Sequence, residues 1–362
     1  MSLRQPPLAA VHEDAGAKTT EFGGWEMPVE FDSIRTEHRA VRESAGIFDV
    51  SHMSEIEVRG PDAEALLQRL TTNDVTALSP GDSQYSMITD DEGVILDDTV
   101  VYRLPSETPE YLFVPNAGHD EQMLDRWTDH RDEWGLDATV ENRTGEYAMF
   151  AVQGPEAPDL AAGAADERVD DIARFEADHR SVAGVDCLLS RTGYTGEAGF
   201  EVLAPWDEAK AVWNAFECQP CGLGARDTLR TEAGFLLSGQ DFDPAENPRN
   251  PYEAGVGFAV KLDTEFVGRD ALERAHEEGV DQKFVGVRLI DRGVPRNGYA
   301  VTTPQGDRIG TVTSGTMSPT LDEPIGLGYV DAEHADHGTT VRVEVRDQAK
   351  KARVESPNFL DR

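Results

Sequence analysis

Residues 84–114 read QYSMITDDEGVILDDTVVYRLPSETPEYLFV. Three short β-rich runs, YSMIT (85–89), VILDDTVVYRL (94–104) and YLFVP (111–115), are separated by acidic breaks carrying Gly or Pro, the spacing of an antiparallel meander. On the N-terminal side, residues 33–46 predict a helix with Ile34, Val41 and Ala45 on one face, Ser33 as N-cap and Gly46 just past the end. Asp62 to Thr71 predicts a second helix through Ala63, Leu66, Leu67 and Leu70, preceded by the alternating, strand-like Ser54 to Arg59. Further on, YAMFAVQ (147–153) and VAGVDCLLS (182–190) each read as a strand, with an acidic, Ala-rich helical segment between them. Strands and helices therefore interleave irregularly, and an α+β arrangement with antiparallel sheets fits better than βαβ winding.

The texture changes near residue 275. After a polar linker at His276 to Gln282, the runs KFVGVRL, YAVTT, RIGTVTS, IGLGYV and TVRVEV are split by Gly, Pro and Asp turns, which predicts a small all-β domain. With 362 residues the chain is long enough for two or three domains. It holds 69 Asp and Glu against 33 Lys and Arg, a formal charge of −36, and only six of its cations are Lys. Five Trp, 14 Phe and 39% hydrophobic residues exclude an acidic disordered chain, so the charge belongs to the surface. Such a surface repels phosphate backbones and anionic membranes, which excludes nucleic acid and membrane as primary partners. The excess of carboxylates points to a high-salt cytoplasm, where molar salt cuts self-repulsion to a range of about 3 Å. Three cysteines (Cys187, Cys218, Cys221), an amino terminus without a signal-like apolar stretch, and no run of about 18 apolar residues predict a soluble, cytoplasmic protein.

Four strings carry possible chemistry. In GVILDDTVVYR (93–103), adjacent strand residues face opposite ways, so Asp97 and Asp98 cannot both lie on one face. Either one carboxylate leaves solvent and becomes a candidate proton acceptor, or the strand ends there and both are hydrated. RTGYTGEAGFE (191–201) presents Tyr194, Glu197 and Glu201 from a Gly-rich loop; a carboxylate there can accept two hydrogen bonds from an aminopyrimidine-like edge, or the string is an ordinary hairpin. CGLGARDTLRTEAGFLLSGQD (221–241) opens a helix with Leu229, Ala233, Leu236 and Leu237 on its apolar face. Arg226 in its first turn either pairs with Asp227 or is aimed at an anion. Cys218 and Cys221 form a C-x-x-C without the second pair that a structural zinc site needs, so no metal is expected.

Taken together, the strings resemble the aminomethyltransferase (T-protein) family of the glycine cleavage system. The resemblance runs almost end to end, through GAKTTEFGGWEMPVEF (16–31), EHRAVRESAGIFDVSHMSEIEVRGPDA (37–63), GVILDDTVVYR, RTGYTGEAGFE, GLGARDTLRTEAG and IGTVTSGTMSPTL (309–321). It implies a three-domain α+β folate-binding fold. Residues 1–275 would form two intertwined parts, roughly 1–56 with 136–232 and 57–135 with 233–275, and 276–362 a C-terminal β-barrel domain. It implies tetrahydrofolate as co-substrate in a central hole, and as partner an H-protein whose lipoyl arm carries an aminomethyl group. The products are ammonia and 5,10-methylenetetrahydrofolate. Residue by residue, it implies Asp98 as the essential carboxylate beside the folate nitrogen that links pterin to benzoate. Glu201 falls at the pterin-contacting acid and Arg226 at a folate-contacting arginine. Tyr85, Val114, Asn116 and Tyr194 line the pocket, and Met53 is an apolar wall. Ser54 and Ser238 depart from the Gly and Tyr common in the family, as does the tail SPNFLDR.

Two other readings share this fold. One is a folate-dependent demethylase, including the folate domains of flavin-bearing oxidases, although the chain shows no dinucleotide fingerprint. The other is a non-catalytic iron–sulfur maintenance protein, whose Cys-bearing loop is here FLLSGQD without Cys.

Overall fold

A computed structural model describes residues 2–106, 108 and 110–360. The chain divides into two compact units, one of residues up to Ser86 with Asp97–Arg226, the other of Met87–Leu96 with Asp227 onward.

The first unit contains a six-stranded sheet in the order Ala177–Val182, Val185–Ser190, Gly199–Pro205, Tyr147–Gln153, Gly46–Asp49 and Gln219–Cys221. All neighbours are antiparallel except the last pair. Phe150, Val152, Phe200, Val202 and Leu189 form its buried side, closed by Val212 and Trp213. A five-stranded sheet has the order Ser83–Thr89, Ile95–Arg103, Glu110–Val114, Ile56–Arg59, Thr139–Asn142. Its first three strands are the expected meander.

Several local expectations need correction. The helix Ile34–Glu43 begins as expected, with the Ser33 side chain accepting from the Thr36 N–H, but it stops at Ser44 rather than at Gly46. Gly46 opens a strand instead, and it is glycine for packing: a Cβ there would sit 2.6 Å from Cys221 Sγ and 2.7 Å from Val41 Cγ2. Residues 182–190 are not one strand. Ala183 and Gly184 both have positive φ, 53° and 79°, and turn the chain into a two-residue hairpin that pairs Val182 with Val185. The helix Leu223–Ala233 ends before Leu236 and Leu237, and the polar stretch from His276 is the last turn of a helix, Arg269–Glu278.

In the second unit, six strands close into a barrel in the order Gln282–Leu289, Glu323–Asp331, Arg308–Ser318, Ala300–Thr302, Thr340–Val345, Gln348–Glu355, with the last pairing back onto the first. Val287, Val301, Val312, Val330, Val343 and Val354 fill it. The closing strand, QAKKARVE, escapes sequence reading because only Ala352 and Val354 of its eight residues are buried.

The same unit holds a fully buried ion pair. Arg230 Nη1 lies 2.6 Å from Asp241 Oδ2, both residues at 0% exposure. Arg230 also donates to Ser314 Oγ (2.7 Å) and the Phe235 carbonyl (3.1 Å), and Asp241 accepts from Thr313, Ser314 and the Leu237 N–H. Breaking such a pair leaves a buried charge uncompensated, at a cost of about 3–5 kcal/mol. Asp241→Ala is therefore expected to lower unfolding stability by about that much, measured by denaturant titration in molar salt.

Candidate active site

The strand Ile95–Arg103 alternates strictly at its start: Ile95, Asp97, Thr99 and Val101 are buried, while Leu96, Asp98 and Val100 are half-buried. The strand continues through both acids, so neither is a hydrated strand end. Asp97 is completely inaccessible. Asp98 keeps some accessible surface as a residue, but protein encloses its carboxyl group.

Two neighbouring carboxylates in low dielectric repel, and five groups hold them in place. The Asn116 side-chain amide donates to Asp97 Oδ1 and to Asp98 Oδ1, each at 2.6 Å, and the Asn116 N–H donates to Asp97 Oδ2 at 3.0 Å. His119 Nδ1 lies 2.9 Å from Asp97 Oδ2. The Tyr85 hydroxyl donates to Asp98 Oδ2 at 2.7 Å. The Asp98 N–H donates to Asp97 Oδ1 at 2.9 Å. Burial, then the charge of Asp97, pushes the Asp98 carboxyl up to about 6, against the pull of the Tyr85 and Asn116 hydrogen bonds. At neutral pH Asp98 is thus mostly ionised but far more basic than a surface carboxylate. Such a group is suited to accept a proton or a hydrogen bond from a weakly acidic N–H.

Val114, just ahead, is buried, and its N–H donates to Thr99 Oγ1 at 2.9 Å. Ser54, one of the family departures, supports this side of the site: it is buried, and its hydroxyl donates to the Asn116 carbonyl at 3.1 Å.

A second cluster forms around Arg226. Its guanidinium carbon lies 4.3 Å from the centre of the Tyr194 ring, a cation–π stack. Asp227, one of the candidate partners for Arg226, pairs with Arg230 at 2.7 Å. Glu201 accepts a short hydrogen bond from Thr192. Burial raises the Glu201 carboxyl, opposed by the Thr192 hydroxyl and the charge of Arg226. The two clusters are neighbours, since burial, Asp98 and also Tyr194 raise the Tyr85 phenol. Met53 is half-buried in the loop after Gly46–Asp49, with its N–H on the Val50 carbonyl. Glu197 pairs with Arg42 at 2.9 Å.

Sequence reading missed His119, Ser54 and Thr192 as members of the site. Thr192 sits in the quoted glycine-rich string, but His119 reaches Asp97 only through the tertiary fold, 22 residues away. Cys221 is buried, with its thiol on the carbonyls of Glu37 and Gln219, and burial pushes both it and Cys218 upward. Among the described residues no group of three or more His, Cys, Asp or Glu is placed to hold a metal ion. No helix among them is long and apolar enough to cross a membrane.

Residues 8–264 match the family model described as the GCVT N-terminal domain, and residues 282–361 the glycine cleavage T-protein C-terminal barrel domain. The chain belongs to this family of glycine cleavage aminomethyltransferases. A probable aminomethyltransferase of Halobacterium salinarum is 66% identical and one of Haloarcula marismortui 63%, each over the full length of both chains. The aminomethyltransferase of Bacillus subtilis is 41% identical over 99% of this chain and all of that one. The crystal structure of glycine cleavage system aminomethyltransferase T from Bartonella henselae superposes with a TM-score of 0.92, at 32% identity and 99% coverage of each chain. The match includes the mixed α+β fold and the closed barrel. These relatives do not favour the demethylase or iron–sulfur readings, and those from halophilic archaea agree with the high-salt expectation drawn from the charge.

Because the ordinary Asp value is 3.8 and that of Asp98 is higher, its folded form binds a proton more tightly than the unfolded chain does. The stability this supplies is present below pH 4 and is lost as pH rises through about 6. Asp98→Asn, which removes the buried charge but keeps the shape, is expected to gain melting temperature over the parent from pH 4 to pH 7, with the two converging below pH 4. Melting curves across that range check it.

Proposed function

We propose that this protein takes the aminomethyl group from the lipoyl arm of an H-protein, delivers its methylene to tetrahydrofolate and releases ammonia. The observation that carries this reading is the raised carboxylate of Asp98, anchored by Tyr85 and Asn116. In the transfer the sulfur–methylene and methylene–nitrogen bonds break, and two folate nitrogens bond to the methylene carbon. The protons of those nitrogens leave with the ammonia and the dihydrolipoyl thiol. Asp98 would accept a hydrogen bond from the folate N–H between pterin and benzoate, raising that nitrogen's nucleophilicity. Tyr85 and Asn116 fix the direction of its lone pairs, so no reorganisation is needed at the moment of reaction.

The rest of the pocket fits the same co-substrate. Glu201 gives one acceptor site to Thr192 and, ionised, has further lone pairs for the paired donors of an aminopyrimidinone. Arg226 and Tyr194 offer a charge and a ring face to a conjugated, partly anionic molecule. Val114 and Met53 would supply apolar wall. We place the reaction in the cytoplasm, and propose the barrel, 276–362, as a domain beside the two intertwined parts, 1–56 with 136–232 and 57–135 with 233–275.

The docking of an acidic carrier on a chain of charge −36 has a physical route. A cavity of about 900 Å³ on the barrel is lined by Arg288, Arg292, Arg296, Arg346, Lys350 and Arg353 against only two acidic side chains. Exposed Ile290 and Met317 add apolar surface to it. Arg292 and Arg346 make no ion pair among the described residues. With charges screened beyond about 3 Å in molar salt, a partner must be held by direct contact there rather than steered from afar.

Asp98→Asn is expected to lower turnover 10²- to 10⁴-fold with the fold intact, measured as ammonia released from aminomethylated H-protein and tetrahydrofolate. Turnover near that of the parent would remove Asp98 from the mechanism. Reversing two cations, Arg292→Glu with Arg346→Glu, should raise the KM for H-protein roughly tenfold while leaving kcat and the KM for tetrahydrofolate unchanged. An unchanged KM for H-protein would place docking elsewhere.

A further inference from the structure

Gln153 ends the strand Tyr147–Gln153, and it is fully buried. Its amide lies under the glycine-rich string quoted from the sequence. Nε2 donates to the Thr192 carbonyl at 3.1 Å, and Oε1 accepts from the Thr195 hydroxyl at 2.9 Å. Thr195 Oγ1 itself accepts from the Glu197 N–H at 3.2 Å, which leaves its single proton for Gln153 and fixes which end of the amide is oxygen. Arg42 adds a second tie to the loop, donating to the Thr195 carbonyl at 2.7 Å.

Gly193 lies directly against the amide. A Cβ there would sit 2.0 Å from Gln153 Oε1 and 2.6 Å from its Cδ and Nε2, closer than real atoms approach. Gly193 is not among the residues with positive φ, so its backbone does not itself call for glycine. The missing side chain makes room for Gln153. One buried amide therefore meets residues 192, 193 and 195, and the residue it brackets is Tyr194, whose ring stacks on Arg226. The Thr192 hydroxyl leads on to Glu201. Tyr194 and Glu201 keep accessible surface, whereas Gln153 has none. Gln153 thus supports, from within the protein, two groups that a ligand can reach.

We propose that Gln153 is a positioning residue of this pocket, the template over which residues 192–195 fold, setting where the Tyr194 ring and the Glu201 carboxyl stand for the pterin. The inference rests on the reading that the pocket takes tetrahydrofolate. A glycine-rich loop loses much conformational freedom on ordering, and a carboxylate that receives paired hydrogen bonds needs a fixed direction. Ordering the loop in advance is therefore returned as affinity for the co-substrate.

Variants on both sides of the contact test it. Gln153→Met keeps the length of the side chain and removes both polar ends. It is expected to raise the Kd and KM for tetrahydrofolate about tenfold, with kcat within about threefold and the KM for H-protein unmoved. A glutamine that serves stability alone would lower the melting temperature and leave the KM for tetrahydrofolate at the parental value, which overturns the proposal. Gly193→Ala reaches the same contact from the loop, and the amide yields to the new methyl only by giving up its hydrogen bonds. This variant should also raise the KM for tetrahydrofolate about tenfold. Since both sides act through one contact, Gly193→Ala combined with Gln153→Ala should bind tetrahydrofolate no worse than the weaker of those two single variants. Losses of affinity that multiply overturn the proposal. Gly193→Ala decides alone if the Gln153 variants do not fold, a parental KM being the adverse result. A parent protein that fails to bind tetrahydrofolate at all would instead overturn the pocket assignment itself.

Discussion

Two carboxyl groups on consecutive residues of one strand are bridged by a single side-chain amide. Asn116 touches both Asp97 and Asp98, and its main-chain N–H adds a third bond. The roles divide by strand face. Asp97 turns inward, where His119 and Asn116 hold it as an anchor. Asp98 turns toward the side shared with Tyr85, where desolvation makes it basic. Without the inward acid there would be less charge to raise the outward one, and without Asn116 the pair would lose the side chain that touches both carboxyl groups. Strand alternation, a property of backbone geometry, thus gives two neighbours of identical chemistry different surroundings.

How much of this was legible in the sequence depended on whether a feature is local. The meander and the alternation that separates the two acids follow from periodicity within a dozen residues, and Ser33 caps its helix by a contact three residues on. Features that failed to show are those set by distant partners. Gly46 reads as a helix terminator, yet its lack of a side chain serves Cys221 and Val41. The turn at Ala183 and Gly184 hides because apolar residues on both sides make the run look continuous. The strand Gln348–Glu355 hides for the opposite reason, since a barrel wall facing solvent on one side can be mostly charged. In the site, no spacing rule connects His119 to Asp97; only the fold does.

Charge acts on two scales. Over the whole chain the excess of acid is a surface property that molar salt can screen. Inside, dielectric and geometry govern: Arg230 and Asp241 neutralise each other at full burial, and burial raises the Glu201 carboxyl against the opposing hydrogen bond of Thr192 and charge of Arg226. The cationic lining of the barrel cavity lies between these limits, exposed enough to be screened yet concentrated enough to mark one face.

The barrel is sealed by Gln348–Glu355, which pairs back onto its first strand. Until Gln348–Glu355 has emerged from the ribosome, the valine-bearing edge of Gln282–Leu289 that it covers stays unpaired, an open template for another nascent chain. Translation that stalls before this strand is free would leave the barrel not merely unfinished but adhesive.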